Sequence, residues 1–497
     1  MQLQIKATST ARNLVGLPLL LVGASTLIAQ SVGTFTPTGN MTTPRSQHTA
    51  TLLFDGRVLL AGGVVIDRPT PTSERFQPIA SAEIYDPSTG LFTPTGSMTN
   101  ARYNHTATLL ADGRVLIVGG ASRTAELYDP STGVFSATGS PPRDYGSATL
   151  LRDGRVFVVG YAAADLYDPS SGTFTPAGPR LAEGPRTPVL QPDGNILLVP
   201  TWAYGSGSQA IELYTPRNNT FSRSAWPFVQ SFDLFEYFTV GYSTATANLL
   251  NNGKVLLTLR SVEGLVNSYA LLFDPSTGTF SGTGALTSSR LDQSATSLSD
   301  GAVLITGGVG HQCPQFPPQA EVYDPVSGKF SLTDSTNPYR NSYTATLLRN
   351  GQVLIAGGVG CPKAGSAYSQ LAGAELYRPV STPPPPPGLL SLSGDGRGPG
   401  AVQHADTFQL VSAGSPAVAG EILTVYCNGL AEGSVIPPQV SIGGRMAEIV
   451  WFGNTPGYAR LNQINVRVPS GVAPGPAVPL RLTYIGRPSN EVTISVR

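Results

Sequence analysis

Two short apolar runs on either side of an Asp-Gly pair form the basic pattern of this chain. The runs are residues 50–53 and 58–63, and Asp55-Gly56 stands between them. Apolar and β-branched residues that flank a dipeptide tolerant of positive φ are a strong short-range signal of a β-hairpin. The stretch therefore predicts two strands joined by a tight turn.

This hairpin recurs along most of the chain, and a second hairpin follows each copy. The first has seven copies, with turns at residues 55–56, 112–113, 153–154, 193–194, 252–253, 300–301 and 350–351. The second also has seven, and its first turn is Asp86-Pro87 after Tyr85, where proline suits a type I turn. Four strands in a unit that repeats roughly every 40 to 60 residues predict an all-β, seven-bladed β-propeller.

The two ends of the repeat region predict how the ring closes. An outer strand with a phenylalanine follows six of the second hairpins, but the seventh, at Tyr377, runs into a proline tract. Residues 32–39 contain a strand of the missing kind. We expect this N-terminal strand to complete the last blade and to hide an exposed sheet edge.

The repeat resembles that of a known class of propellers. Glycine doublets at residues 62–63, 119–120, 307–308 and 357–358, with an aromatic residue late in each unit, are similar to the kelch repeat. The central domain of galactose oxidase has a propeller of this type. The resemblance covers a predicted propeller domain at residues 31–380 and implies the fold, since kelch propellers serve as enzymes, adhesins and adaptors alike.

The remaining segments predict an exported protein with a second domain. Residues 1–30 have the basic start, apolar run and small residues of a cleaved secretory signal peptide, and an uncleaved anchor is the alternative. Residues 381–397 form a Pro-rich linker. Residues 398–497 alternate as short strands, which predicts an immunoglobulin-like β-sandwich. They resemble the TIG/IPT type found on exported acidobacterial proteins, which implies a bacterial, secreted, periplasmic or surface location.

Charge and hydropathy narrow the partners. The formal net charge is +0, so the chain lacks the basic footprint of a nucleic-acid binder. After the signal peptide no apolar run is long enough to span a bilayer, so no membrane insertion is expected. We expect a monomer without a cofactor.

A recurrent arginine is the first candidate for a ligand site. It lies five residues before the equivalent of Ala50 in five units: Arg45, Arg102, Arg143, Arg290 and Arg340. A ring of arginines at the mouth of the central channel could hold a carboxylate or another anion. The alternative is pairing with acids that recur once per unit: Glu83, Glu126, Asp165, Glu321 and Glu375. His48 and His105 share one repeat position and are interpreted as fold residues.

Variable loops on the face opposite the Asp-Gly turns are the second candidate. Their aromatic residues include Trp202, Tyr204, Trp226, Phe228 and Tyr237. These side chains could stack on sugar rings, or they could plug their own blade. On the same face Cys313 and Cys361 each follow a Gly-Val-Gly segment, which predicts a disulfide in an oxidising compartment. Only His311 stands nearby, so no metal site is expected there.

The order of the domains resembles that of galactose oxidase, which binds copper through two tyrosines and two histidines. That family takes one ligand from a Tyr-His dipeptide, and this chain has none and only four histidines, so the resemblance does not carry the copper site. The chain also lacks a nucleophile elbow, a phosphate loop and a zinc motif. The expected function is therefore an exported, non-catalytic protein that binds a polysaccharide or a cell-surface protein. A secreted carbohydrate-active enzyme and a structural envelope protein are the alternatives.

Overall fold

The computed structural model of the protein describes residues 33–70, 73–120, 122–143, 146–200, 211–223, 243–260, 269–287, 290, 293–308, 319–336, 339–361, 369–380, 385–431, 434–458 and 460–497. These residues all belong to one unit, Val32–Arg497. They form strands and turns and no helix, which confirms the predicted all-β class. Nowhere in these ranges is there a helix with the length and apolarity to span a membrane.

Seven antiparallel sheets of four strands each occur among the described residues. Sheets 1 to 3 consist of Thr49–Leu52, Val58–Ala61, Ala82–Asp86 and Leu91–Pro94; His105–Leu109, Val115–Gly119, Ala125–Asp129 and Val134–Ala137; and Ser147–Leu150, Val156–Val159, Ala164–Asp168 and Thr173–Pro176. Sheets 4 and 5 consist of Arg186–Leu190, Ile196–Pro200, Glu212–Thr215 and Thr220–Arg223; and Ser243–Leu249, Val255–Arg260, Tyr269–Asp274 and Thr279–Gly282. Sheets 6 and 7 consist of Gln293–Ser297, Val303–Gly307, Glu321–Asp324 and Lys329–Leu332; and Thr344–Leu347, Val353–Ala356, Ala374–Arg378 and Thr34–Pro37.

The first-named strands of these sheets contact one another in a closed series. Thr49–Leu52 of sheet 1 contacts His105–Leu109 of sheet 2, and the contacts continue from sheet to sheet until Thr344–Leu347 of sheet 7 meets Thr49–Leu52. Sheet 7 takes its outer strand from the start of the described chain, where Phe35 lies opposite Tyr377 in the register. Sheets arranged in this way around a central channel form a β-propeller.

The Asp-Gly turns have the geometry that their sequence predicts. Gly56 has a φ of 93° and donates its N–H to the carbonyl oxygen of Leu53 at 3.0 Å. The side chain of Asp55 accepts the N–H of Arg57 at 2.9 Å. A residue with a Cβ would strain this backbone, so glycine closes the hairpin at low cost.

A buried tyrosine in the third strand of most sheets joins that sheet to its neighbour. Tyr85 packs its ring 4.7 Å from that of Phe92, and its hydroxyl lies 3.0 Å from that of Thr38, just after the outer strand of sheet 7. The same hydroxyl pairs recur at Tyr128–Thr95, Tyr167–Thr138, Tyr323–Thr283 and Tyr377–Thr333. Each tyrosine therefore buries a large apolar ring without leaving its hydroxyl unpaired.

Shorter strands lie on the loops of the propeller. Val64–Thr70 pairs with Ser73–Pro78, and Val359–Cys361 pairs with both Tyr339–Asn341 and Ser369–Gln370.

The C-terminal residues form a further sheet system with its own core. Its strands are Gly388–Leu389, Val402–His404, Ile422–Asn428, Gln439–Ile442, Arg445–Asn454, Asn462–Arg467, Gly475–Tyr484, Arg487–Pro488 and Val492–Val496. Fully buried Leu423, Val425, Ile464 and Leu480 lie at its centre.

These C-terminal strands contact the propeller face that carries the Asp-Gly turns. Arg349 donates to the carbonyl oxygen of Pro488 at 2.9 Å, and Arg487 donates to that of Arg349 at 2.6 Å. The guanidinium of Arg481 lies 5.0 Å from the ring centre of Phe54. The other mouth of the channel therefore lies on the opposite face of the propeller.

Candidate functional site at the mouth of the central channel

Four of the five recurrent arginines are buried partners of glutamates. Arg45 donates to Glu83 at 2.7 Å and to the carbonyl oxygens of Gly62 and Ser81 at 3.0 and 2.8 Å. The same ion pairs occur at Arg102–Glu126, Arg290–Glu321 and Arg340–Glu375, and each guanidinium is at most 1% exposed. These four guanidinium groups are buried and paired inside the protein, so the predicted ring of ligand-binding arginines does not form at their positions. The alternative, pairing with the repeated acid, describes them.

Sheet 3 departs from this pattern. Arg143 is exposed, and its partner position holds Asp165, which is one methylene shorter than glutamate and is buried. Burial raises the pKa of Asp165 to about 6, against the opposing effect of the Arg143 charge. In place of the buried glutamate of sheets 1, 2, 6 and 7, sheet 3 therefore holds a buried aspartate that titrates near neutral pH.

Sheet 4 differs from the repeated pattern by an extra positive charge, because two arginines share one carboxylate. Arg180 donates to Glu212 at 2.9 Å, and Arg186 lies 3.6 Å from the same oxygen. The carbonyl oxygen of exposed Glu183, which stands at the recurrent arginine position, accepts from Arg186 at 3.1 Å. Burial, and then the charge of Arg180, lower the pKa of Arg186 to about 10. At neutral pH this cluster holds two positive charges beside one negative charge.

One cavity of about 820 Å³ opens at the channel mouth, and the two irregular sheets form part of its wall. Ser147, Tyr161 and Arg186 line it from the side of sheets 3 and 4. The rest of the wall comes from the segments that lead into sheets 7, 1 and 2, with Gln47, Tyr103, Asn104, Ser342 and Tyr343, together with His48 and His105. The volume lies in the range of small-molecule sites, and the lining mixes aromatic and polar side chains.

Three lining residues have left-handed backbone conformations. Gln47, Asn104 and Ser342 occupy one repeat position, with φ of 55°, 49° and 52°. Backbone hydrogen bonds join them in series, from Asn104 to Gln47 at 3.0 Å and from Gln47 to Ser342 at 2.9 Å. Such conformations cost free energy in residues other than glycine and are concentrated at functional sites. Nothing in the sequence pattern marks these positions.

The histidines of the cavity wall are packed between sheets. His48 Nε2 lies 3.1 Å from the hydroxyl of Thr344, and His105 Nε2 lies 3.0 Å from that of Thr49. Burial, and then the charge of the nearest arginine, lower both pKa values to about 3. Both imidazoles are therefore neutral at physiological pH, in keeping with a role in the fold.

Several residues singled out from the sequence lie outside the described residues. They are Trp202, Tyr204, Trp226, Phe228, Tyr237 and Cys313, so the aromatic platform and the disulfide to Cys361 stay predictions. Cys427 is described, and its thiol is buried in the C-terminal core. Burial raises the pKa of that thiol to about 12, so it is unreactive.

The donors at the channel mouth do not fit a copper ion in this arrangement. In the described part of the chain no three His, Cys, Asp or Glu side chains come together as a metal site. The Nε2 atoms of His48 and His105 face threonine hydroxyls, and their Nδ1 atoms are buried inside the protein. A metal would need an accessible nitrogen lone pair, which neither ring offers.

The fold nevertheless has a solved counterpart among copper enzymes. A fungal alcohol oxidase of the AA5 family, solved in complex with copper, is similar with a TM-score of 0.57 and 16% sequence identity. The match covers 94% of this chain and 100% of the other. No protein-family model matches the chain, and neither does any curated protein sequence. At this identity the similarity shows the fold, a propeller of the galactose oxidase kind.

This comparison contradicts the function expected from the sequence. One protein that shares the fold over nearly the whole chain is an alcohol oxidase solved in complex with copper, and this finding contradicts the expectation of a non-catalytic binding protein. That expectation rested on missing motifs. In a propeller, side chains from distant repeats meet at the channel mouth, so a site there leaves no contiguous motif.

Proposed function

We propose that this chain is an enzyme whose substrate, a small alcohol with an anionic group, binds in the channel-mouth cavity. The observation that carries the proposal is the cavity itself, together with the second arginine that sheet 4 adds to its buried ion pair beside the cavity wall. The alcohol component follows the activity named for the structural counterpart. The anionic component follows the charge of the sheet 4 cluster.

The cavity wall supplies two kinds of interaction with such a substrate. Side chains of Gln47, Asn104 and Ser147 offer hydrogen bonds to hydroxyl groups. Arg186 lies in the wall but is almost wholly buried, so it acts by its charge rather than through exposed donors. A buried charge is screened less by water than an exposed charge, so it attracts a nearby anion more strongly.

The two imidazoles in the cavity wall contribute no positive charge of their own, so the attraction for an anion comes from the sheet 4 cluster. The pKa values of His48 and His105, about 3, keep both rings uncharged at the pH of any ordinary assay. The histidines therefore add no pH dependence to anion binding between pH 5 and pH 8, unlike those of a site built on titrating histidines. Asp165 of sheet 3, whose pKa is about 6, gains a negative charge over the same range and should weaken anion binding as the pH rises.

The proposal is tested by turnover with a matched pair of alcohols. Glycolate and ethylene glycol are similar in size, but only glycolate carries a charge. Residues 31–497 would be incubated with each alcohol in air, where oxygen is the electron acceptor and is reduced to hydrogen peroxide, and the carbonyl product and peroxide would be measured. Added copper(II) in a parallel set shows whether turnover needs a metal that the described residues do not hold. We expect product from glycolate in excess of that from ethylene glycol. No product from either substrate under both conditions would overturn the proposal.

The finer assignments belong to the same proposal. We infer a seven-bladed kelch-type ring, supported by the seven four-stranded sheets and their closed contacts among the described residues. We infer a TIG/IPT-type C-terminal domain from its strand sequences, and export from the pattern of residues 1–30. Cleavage of a signal peptide would be read directly from the N-terminus of protein secreted by a bacterial host.

A further inference from the structure

The C-terminal strands carry a second group of reactive side chains. The hydroxyl of Ser415 lies 3.1 Å from His404 Nε2, and His404 Nδ1 contacts a carboxylate oxygen of Glu421. A nucleophile, a base within hydrogen-bond reach and a carboxylate that orients the base form the arrangement used for acyl transfer. We propose that Ser415, His404 and Glu421 form a hydrolase site for small carboxylic esters.

The base and its carboxylate sit on rigid elements. His404 ends the strand Val402–His404 and lies opposite Leu423 on the strand Ile422–Asn428. Glu421 directly precedes that second strand, and its other oxygen accepts the N–H of Val418 at 2.9 Å. The carboxylate is thus fixed from two sides, and His404, only 8% exposed, has one ring orientation that reaches both partners. A base held in this way is preorganised for proton transfer.

The serine lies on an open turn that leaves room for a substrate. The backbones of Ser412 and Ser415 exchange two hydrogen bonds, and Ser415 is half-buried. A Cβ built on Gly414 would meet nothing nearer than the Ser412 hydroxyl at 4.0 Å. Within the described residues the N–H groups of Ala413 and Gly414 have no hydrogen-bond partner. They are the candidate donors to the oxyanion that forms when Ser415 is acylated.

The protonation state of His404 decides whether the serine can be activated. Its Nε2 lies 3.0 Å from the Ser415 carbonyl oxygen as well, so a protonated ring donates there and is no base. Burial lowers the pKa of His404, but the hydrogen bonds to Glu421 and Ser415 and the charges of Glu421 and Asp406 raise it by more. The neutral ring that accepts the Ser415 proton therefore forms at a higher pH than it does in an ordinary histidine.

The proposed ester hydrolysis needs only the side chains of the site and water. Ser415 Oγ bonds to the ester carbonyl carbon while its proton moves to His404 Nε2. The ester C–O bond then breaks, and the imidazolium returns the proton to the leaving alkoxide, which departs as an alcohol. The same imidazole then takes a proton from water, which attacks the acyl-serine carbonyl carbon. The bond from that carbon to Ser415 Oγ breaks, the imidazolium returns its proton to Oγ, and a carboxylic acid and free Ser415 result.

A serine-directed fluorophosphonate probe tests the proposal on the full chain. We expect the probe to label the protein at Ser415, with the site read by peptide mapping, and 4-nitrophenyl acetate to be hydrolysed with a rate that rises with pH through the raised pKa of His404. Ser415→Ala should abolish labelling and reduce hydrolysis at least 100-fold. Ser393→Ala is the matched control, since Ser393 is an exposed serine 2.5 Å from a carboxylate, that of Asp395, and should be labelled at Ser415 as the wild type is.

Two results would overturn the proposal. One is absence of labelling at Ser415 in wild-type protein at pH 9; the other is hydrolysis that survives in Ser415→Ala. His404→Gln and Glu421→Gln should each slow labelling, and a thermal melt identifies variants that fail to fold. The alcohol turnover test at the channel mouth uses different residues, so either site can fail without the other.

Discussion

Sheets 2 and 4 occupy equivalent places in the ring, but the number of arginines paired with their buried glutamate differs. In sheet 2, Arg102 and Glu126 form one pair at 2.7 Å, and both are almost fully buried. In sheet 4, Arg180 and Arg186 share Glu212. Removal of one partner of a single buried ion pair leaves the other charge buried without compensation. Sheet 4 can lose one arginine and still keep an ion pair. The arginine of sheet 2 is therefore needed for the fold, whereas the second arginine of sheet 4 adds a positive charge beside the cavity, which we propose attracts the ligand.

The largest effect is expected from removal of the strand that both sheets depend on for a closed ring. Deletion of residues 33–39 exposes the edge of Ala374–Arg378 and uncovers the ring of Tyr377, which packs 4.9 Å from Phe35. We expect a loss of at least about 4 kcal/mol in unfolding free energy. Denaturant unfolding measures it, and an unchanged midpoint would show that the ring does not need this strand.

The comparison of the two sheets is tested by the same substitution in each. Arg102→Met leaves buried Glu126 without its cation and should cost about 3 to 5 kcal/mol. Arg186→Met leaves the Arg180–Glu212 pair at 2.9 Å and should change stability by less than about 1 kcal/mol. Denaturant unfolding of both variants at pH 7 decides the point. Equal losses would show that the second arginine of sheet 4 is structural.

The raised pKa of Asp165 in sheet 3 should make the stability of the protein depend on pH. The pKa of Asp165 is about 6 in the folded protein against an ordinary value of 3.8, so between these values the folded state keeps a proton that the unfolded state releases. Stability from this group is therefore greatest below about pH 4, falls as pH rises to about 6 and is then constant. Asp165→Asn should remove this fall, which amounts to about 3 kcal/mol.

A neighbouring acid provides the control for that pH profile. The hydrogen bond from Ser170 lowers the pKa of Asp168, so its contribution is present at neutral pH and is lost as the solution becomes acidic. Asp168→Asn should therefore change the profile in the opposite sense. Parallel changes in the two variants would contradict the assignment of the Asp165 effect.

The repeat was predictable from the sequence because each unit carries its own turn chemistry. Asp55-Gly56 and Tyr85-Asp86-Pro87 mark their hairpins locally, and the arginine–glutamate pairs follow from two residues that keep step with the repeat. The site was not predictable, because its parts break the repeat. Arg180 and Arg186 stand at different repeat positions from Arg45. The left-handed backbone conformation of Asn104 is shared with Gln47 and Ser342, so no single residue type predicts it. His404, Ser415 and Glu421 meet through strand pairing that spacing alone does not specify.

The central claim is that the second arginine of sheet 4 serves an anionic substrate, and calorimetric binding of glycolate tests it most directly. The titration would compare wild-type protein, Arg186→Met and, as a control, Arg143→Met, which changes an exposed arginine of the adjacent sheet. The account predicts about a tenfold loss of affinity in Arg186→Met, or about 1.4 kcal/mol, and none in Arg143→Met. Equal affinity for glycolate in all three proteins would contradict it.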